Sequence, residues 1–240
     1  MAARFHVDLP LAAGARITLP AGPSRHVQVL RLQPGAAITL FDGRGGEWSA
    51  QVAAIARSDV TVDIGSHDAV ERELACRVTL AVGMPANERM DTVVEKATEL
   101  GVARIQPLVC ERSVLRLAGE RAERKRAHWQ GIAVAASEQS GRTRVPEVSA
   151  VLALRDWLGQ VREHADALRC VLSLRDGARP FRAAAIAGSA VFLSGPEGGL
   201  SDAEEALALA QGFAPMSLGA RTLRADTAPL AILAAIASAT

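Results

Sequence analysis

Three short stretches carry residues that could do chemistry. The first is Leu193-Ser194-Gly195-Pro196-Glu197-Gly198-Gly199-Leu200-Ser201-Asp202-Ala203-Glu204. An apolar run precedes it and a helical pattern follows it. Glycines at a strand-to-helix junction let the backbone approach a ligand and adopt positive φ. The loop has no lysine and is not Gly-x-x-x-x-Gly-Lys-Ser/Thr, and no Gly-x-Gly-x-x-Gly follows the first strand of the second half. A phosphate cradle is therefore disfavoured, and Glu197 would repel phosphate. A neutral or cationic ligand suits the loop better; a plain tight connection is the bland alternative. The second stretch, Ser217 to Pro229 (SLGARTLRADTAP), places Arg221, Arg224 and Asp226 between a short strand and a helix. The third, Ser137 to Pro146 (SEQSGRTRVP), ends a long helix with Glu138, Arg142 and Arg144.

The elements that must position these loops are legible in the pattern. Ser201 with Glu204 three residues on is a capping box, so a helix starts there. Asp226 or Thr227 can cap the last helix, with Pro229 in its first turn. From Val78 to the C-terminus apolar strands alternate with helical segments. Strands are expected at Val78–Val82, Arg104–Val109, Leu168–Leu174, Ala190–Leu193 and Pro215–Leu218. Helices are expected at Asn87–Leu100, Glu120–Gln139, Val151–His164, Ala178–Ile186, Ser201–Gln211 and Thr227–Ala239. Such alternation means an α/β fold with a mostly parallel sheet, and ligands bind beyond the carboxyl ends of its strands. From Arg16 to Ile64 the rhythm is different. Short period-two runs at Arg16–Leu19, Val27–Leu30, Ala37–Phe41, Trp48–Val52 and Val60–Ile64 are separated by Pro, Gly and Asp. They read as a small β-barrel or sandwich, a common nucleic-acid platform, with Arg25, His26 and Arg31 able to line its face. Residues 68–75 (DAVERELA) read as the linker. The domains are thus expected at 1–70 and 71–240.

Composition narrows the classes. The chain has 240 residues, 49% of them hydrophobic, which suits one large or two small domains with full cores. No run approaches about 20 unbroken apolar residues, and the N-terminus lacks a signal-peptide layout. The expectation is a cytoplasmic protein with no membrane partner. Cys76, Cys110 and Cys170 are far apart and odd in number, so buried thiols are expected, with no metal site and no disulfide framework. Net charge is only +1, yet residues 104–126 hold seven basic residues against three acidic ones. That stripe can seat a phosphate backbone or be a solvated helix face.

Taken together, GPEGG, EQSGR-x-x-VP and LG-x-R-x-LR-x-x-TA, with VEKATELGV at Val94–Val102, VLRLQPG at Val29–Gly35 and FDGRGGEW at Phe41–Trp48, resemble the RsmE family. These are small-subunit ribosomal RNA methyltransferases of the SPOUT superfamily. The likeness covers nearly the whole chain, and its motif set is specific in this order. It implies an N-terminal PUA-like β-barrel that contacts RNA. It implies a C-terminal SPOUT α/β domain with a deep trefoil knot. The activity implied is methylation at N3 of a uridine, position 1498, in 16S rRNA, using S-adenosylmethionine, by a homodimer acting on the small ribosomal subunit and needing no metal. Carried over, cofactor contacts fall on Leu172, Ser173 and Leu174; on Leu193, Ser194, Gly195, Pro196, Glu197, Gly198 and Gly199; and on Ser217, Leu218, Gly219, Arg221, Thr222 and Leu223. Where family members carry Leu-Arg-Thr-Glu-Thr, this chain has Leu223-Arg224-Ala225-Asp226-Thr227.

Uracil N3 must lose its imide proton before it attacks. A base, or a cation that stabilises the uracil anion, is needed. Arg224 and Asp226 are the candidate catalytic pair. Arg25, Arg31, Arg112, Arg116 and Arg142 are candidates for holding RNA. Two other readings remain: a SPOUT enzyme with another RNA target, such as a ribose 2′-hydroxyl, and a noncatalytic RNA-binding assembly factor that keeps the fold.

Overall fold

The structure, a computed structural model, describes residues 2–86, 88–161, 167–182, 186 and 188–239. It divides into two compact units. One holds Met1–Glu73 together with Ser137–Val145; the other holds Leu74–Ala136 and Pro146–Thr240.

The first unit is built on a five-stranded sheet. Its elements are β1 (Ala3–His6), β2 (Arg16–Thr18), α1 (Ala21–Val29), β3 (Ala37–Phe41), β4 (Glu47–Ile55) and β5 (Val60–Asp68). The spatial order is β1-β3-β4-β5-β2. β1 runs parallel to β3 and the remaining pairs are antiparallel. Period-two patterning works as expected. Val60, Val62 and Ile64 of β5 and Ile38 and Leu40 of β3 turn inward onto Phe5, Leu19 and Val52. One expected strand is instead a helix. The alternation at Val27–Leu30 predicts a strand, but this segment ends α1. On a strand Val27 and Val29 would share a face; here Val27 is fully buried and Val29 is 68% exposed. The Pro20, Gly22 and Pro23 punctuation opens this helix. Ser24 N donates to Pro20 O at 2.9 Å, and proline is tolerated in a first turn. β1, with only Phe5 fully turned inward, was too short to read.

Of the expected linker, residues up to Glu73 are tied into this unit. Glu73 accepts two bonds from the Arg142 guanidinium, one of them at 2.9 Å. Arg144 Nε meets Glu71 at 2.7 Å. Arg72 donates to Gly141 O at 2.9 Å and to Glu47 at 3.1 Å. Gly45 N and Thr143 O pair at 3.2 Å. These contacts join segments 25 to 98 residues apart in the chain, and no local pattern announces them.

The second unit is the α/β part. In chain order it has β6 (Arg77–Gly83), α2 (Arg89–Glu99), β7 (Arg104–Val109), most of α3 (Gly119–Ser140), β8 (Glu147–Val148), β9 (Leu152–Ala153), α4 (Leu154–Gln160), β10 (Leu168–Leu172), β11 (Arg179–Pro180), β12 (Ser189–Ser194), α5 (Asp202–Ala210), β13 (Ala214–Ser217) and α6 (Thr227–Ala237). All strands pair in parallel, in the order β11-β13-β10-β12-β6-β7-β8, with β9 beside β7. Parallel strands covered on both faces read as continuous apolar runs; β12 is buried from Ala190 through Ser194. The 3.6-residue spacing of Met90, Val93, Val94 and Ala97 does bury one face of α2. Gly101 ends that helix at φ +92°, packed so closely on Leu74 that a Cβ would lie 2.7 Å from its Cγ. The helix expected at Ala178–Ile186 departs from the structure where residues are described. Arg179–Pro180 is an edge strand on β13; residues 183–185 lie outside the described residues, as do 162–164 of the helix expected to reach His164.

Candidate active site

Three loops meet at one sheet edge because three neighbouring parallel strands end there. β10 pairs with β12 on one side, Val171 opposite Leu193, and with β13 on the other, Leu172 opposite Met216. β12 in turn pairs with β6, Ser194 opposite Val82. The segments after Leu172, Ser194 and Ser217 therefore leave from the same side. Ser173 N donates to Met216 O at 2.9 Å, which carries the first loop along the third.

The glycine loop is tight in its body and open at its tip. A Cβ on Gly195 would stand 2.7 Å from Leu200 N. Gly199 N closes a turn onto Pro196 O at 2.8 Å. Gly83 leaves room for Pro196, whose Cδ would be 2.6 Å from a Cβ there. Gly199 and Gly219 have φ of +69° and +102° and open space where a Cβ would point. The buried Ser194 hydroxyl has no hydrogen-bond partner among the described residues. Since buried polar groups are normally paired, Ser194 has a bond to offer a ligand.

The first turn of α5 braces these loops. Ser201 and Glu204 form the expected capping box, with Ser201 N to Glu204 Oε2 at 2.9 Å and Glu204 N to Ser201 Oγ at 3.2 Å. The other carboxylate oxygen of Glu204 accepts from Glu111 N at 2.8 Å. Glu205, also buried, accepts from Ser173 Oγ at 2.6 Å and from Arg175 Nε at 2.9 Å. Arg175 reaches Asp202 at 2.8 Å as well. The Ser173 hydroxyl is thus spent on the protein, as its N–H is on Met216 O. Glu205 and Arg175 escaped sequence reasoning, since they act across 30 residues of chain.

The third loop is arranged differently. Gly219 N donates to Ser217 Oγ at 3.2 Å. Arg221, Thr222 and Arg224 are exposed, and Leu218, Leu223 and Asp226 are half-buried. Thr227 N and Ala228 N both donate to Arg224 O at 3.0 Å, where α6 begins. Asp226 occupies the N-cap position but makes no side-chain cap bond; Pro229 is buried in the first turn. Among the described residues no ion pair joins Arg224 to Asp226, whose carboxylate accepts from Thr227 Oγ1 at 3.4 Å.

The candidate RNA residues divide. Arg25 is exposed on α1, and Arg31, just beyond it, is exposed at φ +55°. Arg116 donates to Glu111 O at 2.7 Å. Arg142 is 4% exposed and holds Glu73, so it is a structural ion pair of the first unit and not an RNA contact. Arg112 donates to Gly198 O and Leu200 O, both at 3.1 Å, and so is engaged with the glycine loop. Beside that loop is a cleft of about 770 Å³ lined by Ala86, Glu88, Arg89, Val114, Lys125 and Glu197. Glu197 accepts from Ala86 N at 2.9 Å and faces Arg89 at 3.4 Å.

The thiols are buried and unbridged. Burial, aided by the Glu204 and Glu111 charges, pushes Cys110 up to about 12; burial alone pushes Cys170 up to about 11. Neither is a thiolate nucleophile near neutral pH. No group of His, Cys, Asp or Glu able to hold a metal occurs among the described residues.

Comparison with known proteins gives this arrangement its family. Residues 72–237 match the RNA methyltransferase domain and residues 24–65 the RNA methyltransferase PUA domain. The ribosomal RNA small subunit methyltransferase E of Synechocystis is 37% identical over 98% of this chain and 77% of its own; that of Bacillus subtilis is 31% identical over 88% and 84%. The Neisseria gonorrhoeae enzyme of the same name, solved with S-adenosyl methionine, superposes with a TM-score of 0.91 at 34% identity, covering 99% of this chain and 98% of that one. A Legionella pneumophila protein solved with bound SAM gives 0.92 at 32% identity, covering 100% and 98%. With both domain models matched in order and full-length relatives above 30% identity, the chain belongs to the RsmE family of ribosomal small-subunit RNA methyltransferases.

Proposed function

We propose that this chain transfers a methyl group from S-adenosylmethionine to N3 of a uridine in 16S rRNA. The observation that carries the reading is the convergence of the three loops that follow β10, β12 and β13. Family membership supports the reaction class, and the loops fit the cofactor. The unpartnered Ser194 hydroxyl and the open ground beside Gly199 and Gly219 suit a ligand held chiefly by backbone groups.

The residues that would hold the cofactor are Leu172–Leu174, Leu193–Gly199 and Ser217–Leu223. Bound there, the sulfonium supplies an activated methyl group. What the chain must add is alignment, worth several kcal/mol when reacting atoms are held in line, and help with the imide proton. Arg224, with an exposed guanidinium, stabilises negative charge on the uracil oxygens. Asp226, which makes no side-chain cap bond, accepts the N3 proton. RNA is held by Arg25 and Arg31 of the first unit and by the Arg121–Arg126 face of α3. The insertion of β12 between β10 and β6 supports the trefoil knot that the resemblance implies, and the same resemblance supports a cytoplasmic homodimer as the working form.

The test is transfer of labelled methyl to small-subunit particles compared with naked 16S rRNA, with the modified base mapped by mass spectrometry. Label on uracil N3 is expected. Label on a ribose 2′-hydroxyl, or none despite cofactor binding, would overturn the reading.

A further inference from the structure

The loop between β7 and α3 is joined to the glycine loop at two points. Arg112 Nη1 donates to Gly198 O and to Leu200 O, each at 3.1 Å. One residue earlier, Glu111 N donates to Glu204 Oε1 at 2.8 Å, on the helix that the glycine loop leads into. The fit is steric as well. A Cβ on Gly198 would come within 3.0 Å of Arg112 Cβ, so the glycine admits the arginine stem. Gly198 and Gly199 bring no side chain with which to fix their own backbone, and Gly199 has φ +69°. Two of the loop's carbonyls need donors, and the two N–H groups on Nη1 can serve one each.

We propose that Arg112 is a positioning residue for the cofactor loop, holding residues 198–200 in the shape that receives S-adenosylmethionine, and not an RNA phosphate contact. This rests on the functional reading above. A loop held in its binding shape before the ligand arrives loses less entropy on binding. Losing the clamp should therefore appear in cofactor affinity, in the absence of RNA.

The experiment compares wild type, Arg112→Met and Arg112→Lys. Methionine keeps an aliphatic stem against Gly198 and removes the donors; lysine keeps the charge and one donor set without the fork. Three readouts are taken on folded protein: amide hydrogen exchange across residues 195–200 without ligand, calorimetric affinity for S-adenosylmethionine, and the salt dependence of RNA affinity. Arg112→Met is expected to speed exchange in that segment and to weaken cofactor binding about tenfold, the scale of a lost charge-assisted contact. Arg112→Lys is expected to fall between. The RNA salt slope should not change. Unaltered exchange in both variants would overturn the proposal. So would a salt slope reduced by about one phosphate contact with cofactor affinity intact. A wild-type chain without affinity for S-adenosylmethionine would remove the functional reading instead, and the exchange measurement alone would then decide the clamp.

Discussion

Arg224 and Asp226 are separable at the residue scale because no ion pair joins them among the described residues. If Asp226 takes the N3 proton, Asp226→Asn should abolish turnover near neutral pH, and higher pH should restore part of it as the imide ionises unaided. If Arg224 is the main contributor, Arg224→Lys should lose about a hundredfold in single-turnover rate, since charge survives but the fork does not. Near-normal rates in both variants would remove both from the reaction. The glycines give a second test. Gly195→Ala sets a Cβ 2.7 Å from Leu200 N, a contact with backbone that cannot rotate away. Cofactor affinity should fall more than tenfold while the first unit keeps its fold, read by calorimetry and circular dichroism. Arg142 belongs to a different class. Arg142→Met leaves Glu73 with its charge unpartnered in a mostly buried place, a loss of about 3 kcal/mol by denaturant titration. An undiminished stability would mean that the pair is idle.

At the scale of elements, α2 and α3 are linked through one carboxylate. Asp91 accepts from His128 Nε2 and from Trp129 Nε1, each at 2.9 Å. Burial would raise its carboxyl, but those two bonds outweigh it, with His128 and Lys125 adding favourable charge, and hold it below the ordinary range. A carboxyl depressed in the fold adds stability above its unfolded value, and that stability is lost as pH falls through the folded value. Asp91→Asn should therefore lower the melting temperature at neutral pH and flatten the acid limb of the stability curve. An asparagine can still accept from Trp129, so the difference isolates the charge, about 1 kcal/mol. Superimposable curves would show that the charge contributes nothing. The α5 turn makes the reciprocal point. Its two buried glutamates brace different loops, so the same turn that starts a helix also positions the site.

For the whole molecule the question is what the basic residues meet. Several are satisfied locally: Arg126 by Glu123 at 3.0 Å, Arg124 by Glu120 at 3.8 Å, Arg104 by Glu147 at 2.8 Å. Such exposed pairs contribute little to stability and can exchange an acid for a phosphate. Replacing Arg121, Arg124 and Lys125 together should reduce the slope of log affinity against log salt by about 0.7–0.9 for each phosphate contact removed. An unchanged slope would make this face of α3 a solvated one. Replacing Arg25 and Arg31 tests the first unit in the same way. The proposed homodimer is checked by light scattering, where a monomer at working concentration would remove it.

Local chemistry decided a good deal of this protein in advance. The capping box at Ser201–Glu204, the apolar face of α2, the alternating β3, β4 and β5 and the run that becomes β12 all depend on contacts within a few residues of chain, which is why they could be read. The ordered loops at three strand ends followed from the same alternation. Val27–Leu30 misled because an alternating tetrapeptide fits a helix end as well as a strand, and the prolines before it serve either. Arg142 and Arg112 looked like free charges because a guanidinium declares its charge but not its partner. Glu73, Gly198 and Leu200 lie 69 to 88 residues away along the chain. Only the fold brings them within reach, and a hydrogen bond forms over about 3 Å of space, whatever the distance along the chain.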